Sequence, residues 1–149
     1  MADNKFGTGK ILENVLKMKR DLPVLLANQA QRYFSDAFKQ QGFDGQAWQE
    51  VKRRIQGTPE YKYPKAKGLS RRTSPILVRT GKLRRAVSNS IRNATFESVK
   101  LVVPLEYASF QNEGTGKIKK REFMGNSAAL MAKQKELIQQ NIDITFKAR

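Results

Sequence analysis

ILVRTGKLRRAVSNSIRNATFESVKLVVPLEYASFQNEGTGKIKKREFMG, residues 76–125, is the stretch that decides the fold. Thr80 is placed to cap a short helix on which Leu83, Val87 and Ile91 share one face, leaving Lys82, Arg84 and Arg85 on the other. Val99, Leu101 and Val103 alternate with Lys100 and Val102, the two-residue period of a strand with one face on a core, and Pro104 closes its ladder. Ala94 and Phe96 supply a partner strand, and a turn near Glu97 makes the two a hairpin. Leu105 to Glu113 reads as a second short helix ended by Gly114, with a flexible, basic departure over Thr115 to Lys120.

Upstream of this stretch, Ile11, Leu12, Val15 and Leu16 follow helical spacing. A stronger stripe follows at Leu22, Leu25, Leu26, Gln29, Ala30, Tyr33, Phe34, Ala37 and Phe38. Asp21 is well placed as an N-cap with Pro23 in the first turn, so the segment is one long helix or two broken near Asp21, stopping at Gly42. Phe43 to Trp48 turns the chain, and Trp48, the sole tryptophan, is expected to anchor a loop to the core. Downstream, Ser127 to Gln140 has strong helix propensity, with Ala128, Met131 and Ile138 on one face. Ile142, Ile144 and Phe146 then alternate with polar residues, which predicts a strand returning to the same sheet. The sum is an α+β fold: a small antiparallel sheet with a long N-terminal helix and a C-terminal helix packed on it. At 149 residues, one domain over 1–149 is the expectation, with extended basic loops at about 57–76 and 114–121.

Charge is the second signal. The chain carries 29 basic and 13 acidic residues, a net charge of +16. Between Lys52 and Arg85 lie twelve basic residues and one acid, Glu60, a net +11. Pro59, Pro64, Pro75 and Gly68 interrupt any periodicity over Thr58 to Pro75, which therefore reads as a long exposed loop suited to binding. Such a patch attracts nucleic-acid phosphates or an acidic protein face.

Composition also excludes classes of function. With no cysteine and no histidine, the chain lacks the usual ligands of zinc, copper and haem iron, and no acidic cluster supports a Mg²⁺ or Ca²⁺ site. No cofactor is expected. General base or nucleophile duty would fall to Ser, Lys or scattered carboxylates with no suggestive spacing, so an enzyme is the weakest class. Gly7-Thr8-Gly9-Lys10 and Gly114-Thr115-Gly116-Lys117 imitate the end of a phosphate-binding loop, but each Lys is followed by Ile and the earlier Gly is absent. The longest apolar run is too short to span a bilayer and the first residues lack a signal-peptide core, which predicts a soluble, unexported chain.

One series of motifs carries a family resemblance. Trp48 in a post-helix loop, Ile76 to Leu83, Glu106-Tyr107-Ala108 ahead of Gln111-Asn112-Glu113-Gly114, and Arg121-Glu122-Phe123-Met124-Gly125 come in an order that resembles the phage virion morphogenesis, or tail completion, family. The similarity runs from about Leu22 to Ile138; Phe110 or Gln111 stands where the family has a His, and Lys120 where it has a Pro.

The resemblance implies a structural, non-enzymatic protein of the virion neck, a head–tail joining component assembled as a ring around the DNA channel. It also implies a location in the virion, and in the host cytoplasm during assembly. The implied partners are copies of itself, the head–tail connector, and tail terminator or tail-tube proteins, with DNA contact in the channel and no membrane. Subunit or partner contacts are expected on the two basic arms and the short helix: Lys62, Lys65, Lys67, Arg71, Arg72, Arg79, Lys82, Arg84, Arg85, Lys117, Lys119 and Lys120. Trp48, Leu83, Tyr107, Gly114 and Phe123 are the expected structural anchors, Tyr107 with its hydroxyl on a polar partner and Gly114 opening into an extended arm. Ring copies this basic repel one another unless an acidic protein or DNA neutralises them. The alternative is a basic nucleic-acid-binding module using the same +11 segment, with Tyr61 and Tyr63 stacking on bases.

Overall fold

The computed structural model describes residues 8–63 and 70–147. The fold is α+β, with a long N-terminal helix, a C-terminal helix and two separate two-stranded antiparallel pairs. Six helices, α1 (Thr8–Gln40), α2 (Pro59–Lys62), α3 (Ser70–Thr73), α4 (Lys82–Ser88), α5 (Glu106–Glu113) and α6 (Ala128–Lys147), and four strands, β1 (Gly42–Phe43), β2 (Gln46–Ala47), β3 (Ile91–Ala94) and β4 (Val99–Leu101), are described. Among the described residues no helix is long and apolar enough to cross a membrane. The chain divides into two compact units.

Among the described residues, the first unit comprises 8–31, 91–102 and 126–147. Its part of α1 runs straight past Asp21, which caps nothing and instead pairs with Arg20 at 2.7 Å. Pro23 therefore sits inside a continuous helix. A proline there forfeits a backbone bond, roughly 3 kcal/mol in an isolated helix. Leu22, Ala27 and Ala30 are buried along the same helix, and that burial favours one uninterrupted rod. The expected stripe is shifted slightly: Leu25 is exposed and Ala27 takes its place.

β3 and β4 form the expected hairpin, in register Ile91 to Leu101 and Ala94 to Val99 with a bulge between. Phe96 lies in the turn rather than the strand, under the Lys19 ammonium at 5.1 Å from the ring centroid. Val103 lies beyond the strand and Val99 is exposed, so the alternation marks pairing without a deeply buried face. Ile91 begins β3 and does not belong to α4.

The C-terminal expectation is overturned. α6 continues to Lys147, taking Ile142, Ile144 and Phe146 as helix. Ser127 starts it by accepting from the Leu130 amide at 3.0 Å. Side-chain contacts at i,i+4 carry it on: Gln139 to Asp143 at 3.0 Å and Lys147 to Asp143 at 3.4 Å. Thr145, buried, donates its hydroxyl to the Asn141 carbonyl at 2.7 Å. Three alternating apolar residues were too few to outweigh a helix already propagating.

Among the described residues, the second unit comprises 32–63, 70–90 and 103–125. Its core is aromatic. Phe38 meets Trp48 edge-on at 5.7 Å and Phe123 at 5.4 Å, while Tyr33, Phe34 and Phe43 lie about 6 Å apart. β1 and β2 are joined by Asp44 and Gly45, both at positive φ, the conformation a two-residue hairpin turn demands. Gln41 locks the exit of α1. Its side chain donates to the Phe38 carbonyl and accepts from the Ile76 amide, and its carbonyl accepts from the Trp48 amide.

The described parts of the 57–76 segment are not featureless, while 64–69 lie outside the described residues. Lys52–Arg54 forms a 3₁₀ turn, and α2 and α3 are single helical turns. Thr58 caps α2, accepting from the Tyr61 amide at 3.3 Å with Pro59 in the first turn. Residues 114–121 likewise do not extend as an arm. The Thr115 amide donates to the Ile118 carbonyl at 2.8 Å and the Ile118 amide to the Thr115 hydroxyl at 3.1 Å, closing a compact loop. The Gly114, Thr115 and Lys117 amides that a phosphate cradle there would use are engaged in this way, donating to the Phe110 carbonyl, the Ile118 carbonyl and the Thr115 hydroxyl.

Candidate functional site: a basic cleft beside α4

The resemblance motifs meet in the second unit as a clasp. Asn112, on α5, accepts from the amides of Phe123 (2.9 Å) and Met124 (3.1 Å) through Oδ1, and donates Nδ2 to the Met124 carbonyl at 2.9 Å. The Arg121 amide donates to the Gln111 carbonyl at 2.8 Å, and the Trp48 indole N–H donates to the Glu122 carbonyl at 2.6 Å. Gly114, φ 79, ends α5; a Cβ there would fall 2.8 Å from the Lys120 amide nitrogen. Trp48, Leu83 and Phe123 are buried as expected of anchors. Tyr107 departs from its expected role: it is 40 % exposed, and its hydroxyl has no partner among the described residues.

The basic segment divides into cations that hold the chain and cations that face solvent. Arg53 donates to the carbonyls of Ser74 (2.9 Å) and Pro75 (3.3 Å). Arg72 donates to the Tyr61 carbonyl at 2.7 Å and lies 4.4 Å from the Tyr61 ring centroid, so that ring is already covered. Lys52 and Arg54 pair with Glu60 and Glu50. Lys62, Arg79, Lys82, Arg84 and Arg85, by contrast, are exposed and make no side-chain ion pair among the described residues.

α4 sets the direction of this second group. Its start is a glycine, Gly81 at φ 70, and not Thr80, whose hydroxyl accepts only a long 3.4 Å bond from the Lys82 amide. Leu83 and Val87 turn inward and are buried, which puts Lys82, Arg84 and Arg85 on the opposite face. Lys117 and Lys119 are exposed on the 114–121 loop, where Lys120 pairs with Glu122 at 2.7 Å. Arg71 lies on α3; Lys65 and Lys67 lie outside the described residues.

A cleft of about 1070 Å³ opens beside α4. Pro75, Leu77, Val78, Leu83 and Tyr107 form apolar walls, and Arg53, Arg72, Arg79, Lys82 and Glu60 supply charge. Two features of the wall are costly. Leu77 is held at φ 60, a left-handed conformation worth about 1–2 kcal/mol of strain for a residue with a Cβ. Gln111, also lining the cleft, has a buried amide oxygen without a hydrogen-bond partner, a loss of about 1–3 kcal/mol. Among the described residues, no group of three or more carboxylates gathers to hold a metal ion. Sequence reading identified the cations, but the cleft joins residues from Arg53 to Gln111 and has no local signature.

The chain matches no protein-family model, no curated protein and no solved structure.

Proposed function

We propose that this chain is a non-enzymatic structural protein of a bacteriophage virion, a tail completion or head–tail joining component that assembles as a ring in the neck. The reading rests on the order of the motifs from Trp48 to Gly125. One observation supports it: Asn112 of the Gln-Asn-Glu-Gly motif grips the backbone of the Arg-Glu-Phe-Met-Gly motif through three hydrogen bonds. Residues employed this way maintain a scaffold and do no chemistry. The exposed cations of α4 then serve contact with neighbours: further copies, the connector, tail terminator or tail-tube proteins, and DNA in the channel.

A ring of such basic subunits needs neutralising surfaces, and an acidic protein face suits a neck better than tight phosphate binding, since DNA must slide through it. The experiment is sedimentation of the purified chain alone and with connector and tail-terminator proteins at increasing salt. A ring-sized species, or a salt-sensitive complex with one of these proteins, is the expected result. Tyr63, 78 % exposed and next to Lys62, favours the second reading, a nucleic-acid-binding module. A chain that stays monomeric with every neck component, yet binds duplex DNA with a steep salt dependence, decides for that module.

A further inference from the structure

We infer that the cleft beside α4 is a binding site for an extended acidic peptide segment of a partner protein, with one apolar side chain of the peptide seated against Leu77 and Tyr107. Size comes first. At about 1070 Å³ the cleft lies at the upper end of small-molecule pockets, which span roughly 300–1,000 Å³, and a length of chain fills it better than a compact ligand. Charge gives the sign of the occupant. Among the described residues, Arg79 and Lys82 line the cleft without an ion-pair partner, and the carboxylate on its wall, Glu60, faces Lys52 at 3.8 Å.

The chemistry of the wall separates a peptide from a nucleic acid. Leu77, Val78 and Tyr107 offer partly exposed apolar surface that a sugar–phosphate backbone cannot use. Leu77 holds its strained φ on this same wall, the kind of place where such strain accumulates. Recognition combines charge with one apolar anchor.

The inference stands apart from the neck reading. Its test uses the chain alone with a synthetic probe, so either can fail without the other. The probe is a fluorescein-labelled Asp-Glu-Asp-Phe-Asp-Glu-Asp peptide, which spans roughly 20 Å when extended. Fluorescence anisotropy is expected to show saturable, salt-sensitive binding that weakens when Phe is replaced by Gly. The double reversal Arg79→Glu with Lys82→Glu is expected to weaken it by at least about tenfold. Lys117→Glu with Lys119→Glu makes the same charge change on exposed residues away from the cleft and is expected to leave affinity little changed. Tyr107→Ala is expected to erase the advantage of the Phe peptide over the Gly peptide. Unaltered Trp48 emission shows that each variant is folded. The inference is overturned if the wild-type chain does not bind the peptide, if both reversals weaken it equally, or if labelled oligothymidylate of equal charge binds more tightly and displaces it.

Discussion

Replacing Asn112 by Ala removes three hydrogen bonds at once and leaves the Phe123 amide, the Met124 amide and the Met124 carbonyl without protein partners. Each bond is worth about 1 kcal/mol net, and a buried group left unsatisfied costs about 1–3 kcal/mol. Phe123 is almost fully buried, whereas Met124 is half-exposed and water can recover part of its loss. The expected cost is therefore about 2–4 kcal/mol. Asn112→Asp keeps both bonds from the amides but sets a carboxylate against the Met124 carbonyl, so about 1–2 kcal/mol is expected. Urea unfolding followed by tryptophan emission measures both. Trp48 is the sole tryptophan and its N–H is bound to the neighbouring Glu122 carbonyl, so the probe lies at the clasp. An Ala variant within about 0.5 kcal/mol of the wild type, in the range of an ordinary surface substitution, would refute the reasoning. So would an Asp variant less stable than Ala.

Gly114→Ala is expected to lose about 1–3 kcal/mol from backbone strain alone, plus the clash with the Lys120 amide; Gly116→Ala, where a Cβ meets nothing within 4 Å, is the near-neutral control in the same urea assay. Ile144→Ala, on an exposed turn of α6, is expected to raise stability by a few tenths of a kcal/mol, with helical circular dichroism intact, because Ala is the better helix former. A loss above about 1 kcal/mol there would instead indicate a strand. The Asp21 carboxyl, held by its hydrogen bond from Arg20, is expected to titrate below its ordinary 3.8. A pKa depressed in the folded state gives a contribution present above the unfolded value and lost as pH falls through the folded one, so its window lies below 3.8. Carbon-detected NMR titration checks this, with Arg20→Ala expected to return the midpoint toward 3.8 and an unchanged midpoint counting against the pair.

Local signals were the legible part of the fold. The Gly114 stop, the inward Leu83 and Val87, and the hairpin over 91–101 all follow from spacing and turn residues within one element. Two further signals were present in the sequence and under-read: Asp44-Gly45, a two-residue turn, and Thr58-Pro59-Glu60, a cap followed by proline and an acid at the helix start. Two others pointed the wrong way. Asp21 and Pro23 look like a helix start, and Ile142 to Phe146 looks like a strand, yet in both places a helix already under way carried through. The clasp of Asn112 and the lock of Gln41 had no periodic signature, since each is a side chain binding backbone 11 to 35 residues away. The cleft follows from those long-range bonds and was illegible for the same reason.

The +11 charge of Lys52 to Arg85 overstates what a partner meets. Arg53 and Arg72 hold backbone carbonyls, and Lys52 and Arg54 face carboxylates. The carboxylates offset the charges of Lys52 and Arg54 at short range, while Arg53 and Arg72 keep their charge but are held in place by the carbonyls, and all are screened beyond a Debye length of about 8 Å. What remains is concentrated: Arg79, Lys82, Arg84 and Arg85 fall within seven residues, the last three on the exposed side of α4, whose other side is fixed by Leu83 and Val87, and Arg79 just ahead of it. A short helix seated by two buried side chains presents its cations at fixed spacing, and fixed spacing is what distinguishes one acidic partner from another. Specificity in this segment therefore follows from the packing of Leu83 and Val87 as much as from the charges they position.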